Sequence, residues 1–283
     1  MRSGLYLSES AQLRYASGAM LYFAQGMPKG LLNIAVPAWL AANGLGAAEI
    51  ASYLAIIVLP WAFKLLSGPL MDRFEFLPMG NRRPWVLGAQ LGLVISLCCL
   101  MLIDDPMSQL GMLTALGALI NVFAATQDVA TDGLAIDLVP ETEHGRINAS
   151  MSFGKSVGWA ISAGASGTLL ANYGLGVAGM VASVVCALVF VAFLLVRERE
   201  GERILPWTQG RAATEHREPP SFRSVFGRLN RVLWSRASWT MFAIMFLYGL
   251  TSGYGDALMP IAAVKLFGFT TEQWSQLVAL VHE

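Results

Sequence analysis

Charge is what this chain has least of. Only 13% of its 283 residues are Asp, Glu, Lys or Arg, and 19 basic side chains balance 19 acidic ones. A soluble domain carries roughly a quarter charged residues, so a water-soluble globular protein is excluded. The zero net charge removes the field that would gather nucleic acid, and no such partner is expected. Cysteine is scarce as well. Cys98, Cys99 and Cys186 all lie in apolar runs without metal-ligand spacing and read as packing residues. Three histidines form no metal set, and no nucleophile–base pair stands out. No metal or cofactor is expected, and the chain does not read as an enzyme. A cleavable signal is missing too, because the first apolar stretch is too long for an h-region.

What the chain does have is apolar length. Hydrophobic side chains make up 55% of it, with a mean hydropathy of +0.54. Several runs reach about 20 residues, the length that crosses a hydrocarbon core about 30 Å thick. Short alternating segments of a β-barrel are absent. The expectation is an all-α membrane protein with spans at 14–41, 48–70, 84–103, 108–138, 146–171, 175–196 and 237–264. An eighth pattern starts at Thr271, with an apolar part too short to cross, so the chain is expected to be a fragment of a longer protein.

Orientation follows from the basic residues. Arg2, Arg14, Arg73, Arg82, Arg83, Arg146 and nine arginines from Arg197 to Arg236 lie before span 1 or after spans 2, 4 and 6. The segments after spans 1, 3 and 5 hold no Lys or Arg, which predicts a cytoplasmic N-terminus. The organisation expected is a six-helix bundle over 1–196, a polar cytoplasmic linker over 197–236, and the start of a second bundle over 237–283. The linker's Ser221–Arg236 half reads either as an amphipathic helix on the membrane surface or as a solvated helix. A shift of 223 residues aligns Pro37, Glu49, Ser52 and Leu54 with Pro260, Glu272, Ser275 and Leu277, as parallel repeats would.

Span 4 carries acidic residues, Asp128, Asp132 and Asp137, inside a membrane-length apolar run. Carboxylates there are costly and mark ion or substrate pathways. Gly117, Asn121, Ala124, Asp128 and Asp132 recur at steps of three and four, a single helical stripe. Two carboxylates one turn apart cannot both hold charge easily in a low-dielectric site, so the pair suits proton uptake and release. Asp137, near the cytoplasmic end, is expected to face interface water. In span 5, Ser150, Gly154, Gly158, Ser162 and Ser166 form a small-residue ladder fit for close packing. If spans 4 and 5 turn near Glu143, Lys155 comes level with Asp132, and a contact between them is predicted.

Span 1 holds Gln25-Gly-Met-Pro28-Lys29-Gly30, then Asn33 and Pro37. Gly and Pro weaken the helix there and can open backbone groups to a cavity. Lys29 lies about 22 Å along the axis from Arg14, too deep to snorkel, so it should face a polar cavity. Lys64 is expected to snorkel at the cytoplasmic end of span 2. Trp39, Trp61 and Trp85 read as interfacial anchors. Asp256 in span 7 falls opposite Asn33 under the 223-residue shift and is a further solute or proton candidate.

The loop after span 2, Gly68-Pro-Leu-Met-Asp72-Arg73 through Gly80-Asn-Arg82-Arg83, resembles the signature of the major facilitator superfamily, with its second glycine later than in the common version. Gly68 would permit close helix approach, and Asp72 would pair with loop arginines to bias a gate. The stretch Ala124-Ala-Thr-Gln127-Asp128-Val-Ala-Thr-Asp132-Gly133 resembles the branch of AmpG-type muropeptide permeases and acetyl-coenzyme A transporters. Siderophore permeases of that branch are similar too. Lys29 departs from it, since an apolar residue is usual at that place. The resemblance implies a proton-coupled permease for a bulky polar solute in a bacterial inner membrane, acting as a monomer within the lipid bilayer. Asp128, Asp132 and Lys155 would couple protons. Lys29, Gln25, Asn33, Asn121, Gln127 and Asp256 would meet solute. Gly68, Asp72, Arg73, Gly80, Arg82 and Arg83 would form the gating loop. A receptor or scaffold on the same fold is the alternative of another class.

Overall fold

A computed structural model describes residues 5–74, 76–210, 227 and 230–281. The first helix, α1 (Ala11–Lys29), starts at Ser10, whose hydroxyl accepts from the Leu13 amide. It continues through a π-helical stretch, Gly30–Ala35, into α2 (Val36–Ala42). The wide turn falls between Pro28 and Pro37, which lack the amide hydrogens that would close the regular ladder. The Ala24 carbonyl, four residues before Pro28, takes the Cys186 thiol at 3.6 Å. The Leu32 carbonyl, five before Pro37, takes the Tyr53 hydroxyl at 3.0 Å. The expected weakening is therefore present, but neighbouring helices, not a cavity, satisfy these two carbonyls.

Next come α3 (Ala47–Val58), a 3₁₀ turn at Leu59–Phe63 and α4 (Lys64–Arg73). The sequence reads this region as one straight span. Instead it bends by 47° between Phe63 and Leu66, where Pro69, inside α4, lacks the amide hydrogen that would reach back across the break. Then follow α5 (Arg83–Cys98), α6 (Leu110–Leu138), α7 (His144–Tyr173), α8 (Leu175–Leu194), α9 (Arg236–Lys265) and α10 (Thr271–Val281). These bounds lie within a few residues of the predicted spans. Among the described residues, three helices are long and apolar enough to cross a membrane by themselves: Arg83–Leu102, Leu110–Leu138 and Leu175–Leu194; the bent pair raises the number to four. Large apolar side chains point outward, Val184, Leu188 and Val191 on α8 among them, as lipid contact requires. Half of the linker stretch singled out above, Ser221–Arg236, falls outside the described residues.

The span 5 ladder packs against α1, backbone to backbone. A Cβ on Gly154 would lie 2.0 Å from the Ala19 carbonyl oxygen, one on Gly158 2.2 Å from that of Phe23, and one on Gly26 2.4 Å from the Trp159 amide nitrogen. Ser150 donates to the Tyr15 carbonyl at 2.7 Å and Ser162 to that of Met27 at 2.5 Å. Small side chains thus let two helices touch, and their hydroxyls bond across the seam. The α10 helix rests on the far end of α7. A Cβ on Gly167 would stand 2.3 Å from that of Ser275, and Thr168 donates to Glu272 at 3.0 Å. A short parallel pair, β1 (Leu5–Tyr6) with β2 (Val196–Arg197), ties the chain's start to the end of α8. No sequence pattern marked it.

Candidate functional site

Asp128 sits in α6 with 3% of its surface exposed. Lys64 of α4 bonds one of its oxygens, and Lys155 Nζ of α7 lies 3.8 Å from the other. The expected pairing of Lys155 with Asp132 is corrected here. The hairpin turns at Glu141–Glu143 as foreseen, but Asp132 faces α1 and takes the Tyr22 hydroxyl. Lys155 reaches to the more buried carboxylate instead. Its ammonium lies 5.3 Å from the Tyr22 ring centre and 5.5 Å from that of Trp61, both within cation–π range. Lys64 does not snorkel. The bend between Phe63 and Leu66 turns it inward onto Asp128, 5.3 Å from the Trp61 ring.

Beside this cluster lies a cavity of about 290 Å³ lined by Gln25, Pro28, Lys29, Asn33, Val58, Trp61, Asn121, Ala124 and Lys155. Four of the six predicted solute residues are here. Gln127 is not: it is fully buried, and its amide donates to the Leu21 carbonyl at 3.1 Å, locking α6 to α1. It is a packing residue because its step along the helix turns it away from the cavity. Asp256 lies in α9, and its side chain falls outside the described residues. Trp61 is a cavity wall, not an interfacial anchor. Its indole nitrogen donates to Asn121 at 2.7 Å, and Asn121 donates in turn to the Gly117 carbonyl at 2.9 Å. Gln25 is 3% exposed, and neither its amide nitrogen nor its oxygen has a partner. Lys29 makes no ion pair among the described residues.

Sequence reasoning missed Tyr22 and misplaced Lys64 and Trp61. Tyr22, Gln25 and Lys29 stand at steps of three and four, so the spacing carried the signal. For Lys64 the signal was Pro69, five residues later.

At the predicted cytoplasmic end, Arg82 bridges Asp72 at 2.6 Å and Asp137 at 3.1 Å. Asp137, expected to face water, also accepts from Asn81 at 2.8 Å. Arg82 crosses α6 at Gly133, where a Cβ would stand 2.9 Å from its Nε. Arg83 is corrected from a gating charge to a cap. Fully buried, it donates to the carbonyls of Val196, Leu194, Arg203 and Ile204 at 2.6, 2.7, 3.0 and 3.0 Å. The buried Glu198 carboxylate accepts from the amides of Asn81, Arg82 and Arg83 at 2.9, 2.8 and 2.6 Å, capping the start of α5. Gly80 makes this possible. Its φ is +108°, and a Cβ there would lie 2.6 Å from the Glu198 carboxyl carbon. Gly68 does not serve close approach. Among the described residues nothing lies within 4 Å of where its Cβ would stand, and α4 turns Met71 to the core instead. Arg73 closes α4. Arg14 binds Glu143 through two nitrogens at 2.8 and 3.2 Å and holds that carboxyl below the usual carboxylate range.

Long helices with an apolar exterior around a charged interior cavity define a multi-pass membrane protein with a polar interior. The Major Facilitator Superfamily model matches residues 18–281, and the chain belongs to that superfamily. It is 28% identical over 269 residues to the anhydromuropeptide permease of Escherichia coli K12, covering 94% of this chain and 52% of that protein. It is 29% identical over 160 residues to the putative transporter AmpG 4 of Rickettsia conorii, 54% of this chain and 37% of that one. An uncharacterised Haemophilus influenzae protein is 34% identical over 123 residues, 44% of this chain and 28% of that one. The chain spans about half the length of the E. coli permease.

Proposed function

We propose that this protein acts in proton-coupled import of a bulky polar solute, an anhydromuropeptide, across a bacterial inner membrane, with its N-terminus in the cytoplasm. The similarity to the E. coli permease supports the choice of solute, and the arginine asymmetry supports the orientation. One observation carries the proton role: Asp128 and Asp132, two of the three carboxylates of α6, have unlike partners. Asp128 faces two ammonium groups, those of Lys64 and Lys155. Asp132 bonds only the Tyr22 hydroxyl, with no ion pair among the described residues. In this reading Asp132 takes and releases the proton, and the ion pairs of Asp128 hold α4, α6 and α7 together. Gln25, Lys29, Asn33 and Asn121 meet the solute. The Arg82 bridges to Asp72 and Asp137 keep the cytoplasmic end shut until they break.

The test is uptake of labelled anhydromuropeptide into cells carrying Asp132→Asn, at several external pH values. Uptake driven by the proton gradient should fall at least about tenfold, the scale expected for loss of an essential proton-transfer group. An unaltered pH profile removes Asp132 from coupling.

A further inference from the structure

We infer that the cavity recognises a carboxylate, held between the Lys29 ammonium and the Gln25 amide, and that this group draws Lys155 from Asp128. Gln25 and Lys29 stand one helical turn apart on a single face of α1, and both line the cavity. The Gln25 side chain is 3% exposed, yet among the described residues its amide nitrogen has no acceptor and its oxygen no donor. A buried amide left in this state is costly, so the site is built for a partner that arrives from outside. An acceptor oxygen would satisfy the nitrogen.

Charge points the same way. Lys29 and Lys155 line the cavity, and no Asp or Glu does so among the described residues. Lys64 and Lys155 share Asp128, which leaves Lys29 as a cation in search of a counter-charge. A neutral solute would bury that ammonium without compensation. A carboxylate neutralises it and offers a second oxygen to Gln25 or Lys155. Lys155 is free to answer because its 3.8 Å approach to Asp128 is longer than a hydrogen bond. Solute arrival thereby loosens one of the two cations on Asp128. The inference takes its meaning from the permease reading, but its test needs no transport.

The purified full chain in detergent micelles is titrated with acetate and with acetamide, its neutral isostere, at constant ionic strength in chloride. Binding is followed by the shift in unfolding temperature. Acetate should stabilise saturably and acetamide should not. Lys29→Gln should weaken acetate binding at least about tenfold, as expected for loss of a charge-assisted bond, and Lys29→Arg should retain it. Gln25→Glu places a carboxylate of its own one turn from Lys29 and should also abolish the acetate effect. Asp128→Asn should act in the opposite sense, strengthening acetate binding by releasing Lys155, which misfolding cannot imitate. Equal responses to acetate and acetamide, or an unchanged constant in Lys29→Gln, overturn the inference. Selective acetate binding without proton-driven uptake sinks the permease reading and leaves this site standing.

Discussion

Charges at the Arg83 end of the bundle and charges around the cavity are of the same kinds, but the fold treats them in opposite ways. At the Arg83 end the sets are closed. Arg83 reaches four carbonyls, Glu198 collects three amides, and Arg14 grips Glu143 through two nitrogens. In the cavity the set is open. Gln25 has no partner, and Lys155 sits 3.8 Å from its carboxylate. Closed sets of charge-assisted bonds fix one geometry, since breaking any member strands buried groups. Open sets can trade partners with a solute or a proton at small cost. One region is built to hold and the other to exchange.

Removing one cation from each region breaks the comparison most directly. Arg83→Ala strands the carbonyls of Leu194, Val196, Arg203 and Ile204 in a site with no water access, because the side chain it removes is fully buried. The expected loss is about 3 kcal/mol or more of unfolding free energy, read as a lowered denaturation midpoint in micelles. Arg83→Lys should not restore it, since a point ammonium cannot span four acceptors in a planar fork. A loss under about 1 kcal/mol, an ordinary surface value, would show that the closed set does not fix the fold.

Lys29→Gln sharpens the contrast from the other side. Lys29 has no ion pair to lose among the described residues, so stability should move by no more than about 0.5 kcal/mol, with either sign. Uptake should fall sharply all the same. A large stability loss here would mean that Lys29 is structural, and the two regions would no longer differ in kind.

The same contrast sets what the sequence could and could not say. Regular, repeated signals were legible: the helical spans, the small-residue face of α7, the hairpin near Glu143, and the gathering of Gln25, Lys29, Asn33 and Asn121 at one cavity. Asp72 with Arg82 was legible too, because a charged pair flanking a short loop has few other partners. What failed depended on direction. Lys64 was assigned to the membrane surface because a straight span 2 would put it there, and only the bend between Phe63 and Leu66 turns it onto Asp128. Lys155 was matched to Asp132 by level along the hairpin, and level does not say which way a carboxylate on a helix points. Gln127 stands beside Asp128 in sequence but a quarter turn away in space. Arg83 and Glu198 bond across 115 residues, and nothing local to either announces a backbone partner.

The smallest expected effect concerns Glu202, which lies beneath the Glu198 cap. Its carboxylate accepts from the amides of Glu198 and Arg199 at 3.0 and 3.1 Å and is 6% exposed. Burial pushes this carboxyl above the usual range, and the two amide bonds offset that only in part. A group raised on folding contributes stability that is complete below its unfolded value, about 4.3 for Glu, and that fades as pH climbs through the folded value. Glu143 works in the reverse direction. Arg14 lowers it, so its contribution is present at neutral pH and lost on acidification. The whole protein's pH profile therefore mixes opposing trends, and the informative quantity is the difference between the wild type and Glu202→Gln. That variant keeps an oxygen to accept both amides but holds no charge. It should gain stability over the wild type on passing from mildly acidic to neutral pH, by less than either cation removal changes uptake or folding. A difference that stays flat across that range would show that Glu202 is already solvated, leaving Glu198 and Arg83 to close that end of the bundle without it.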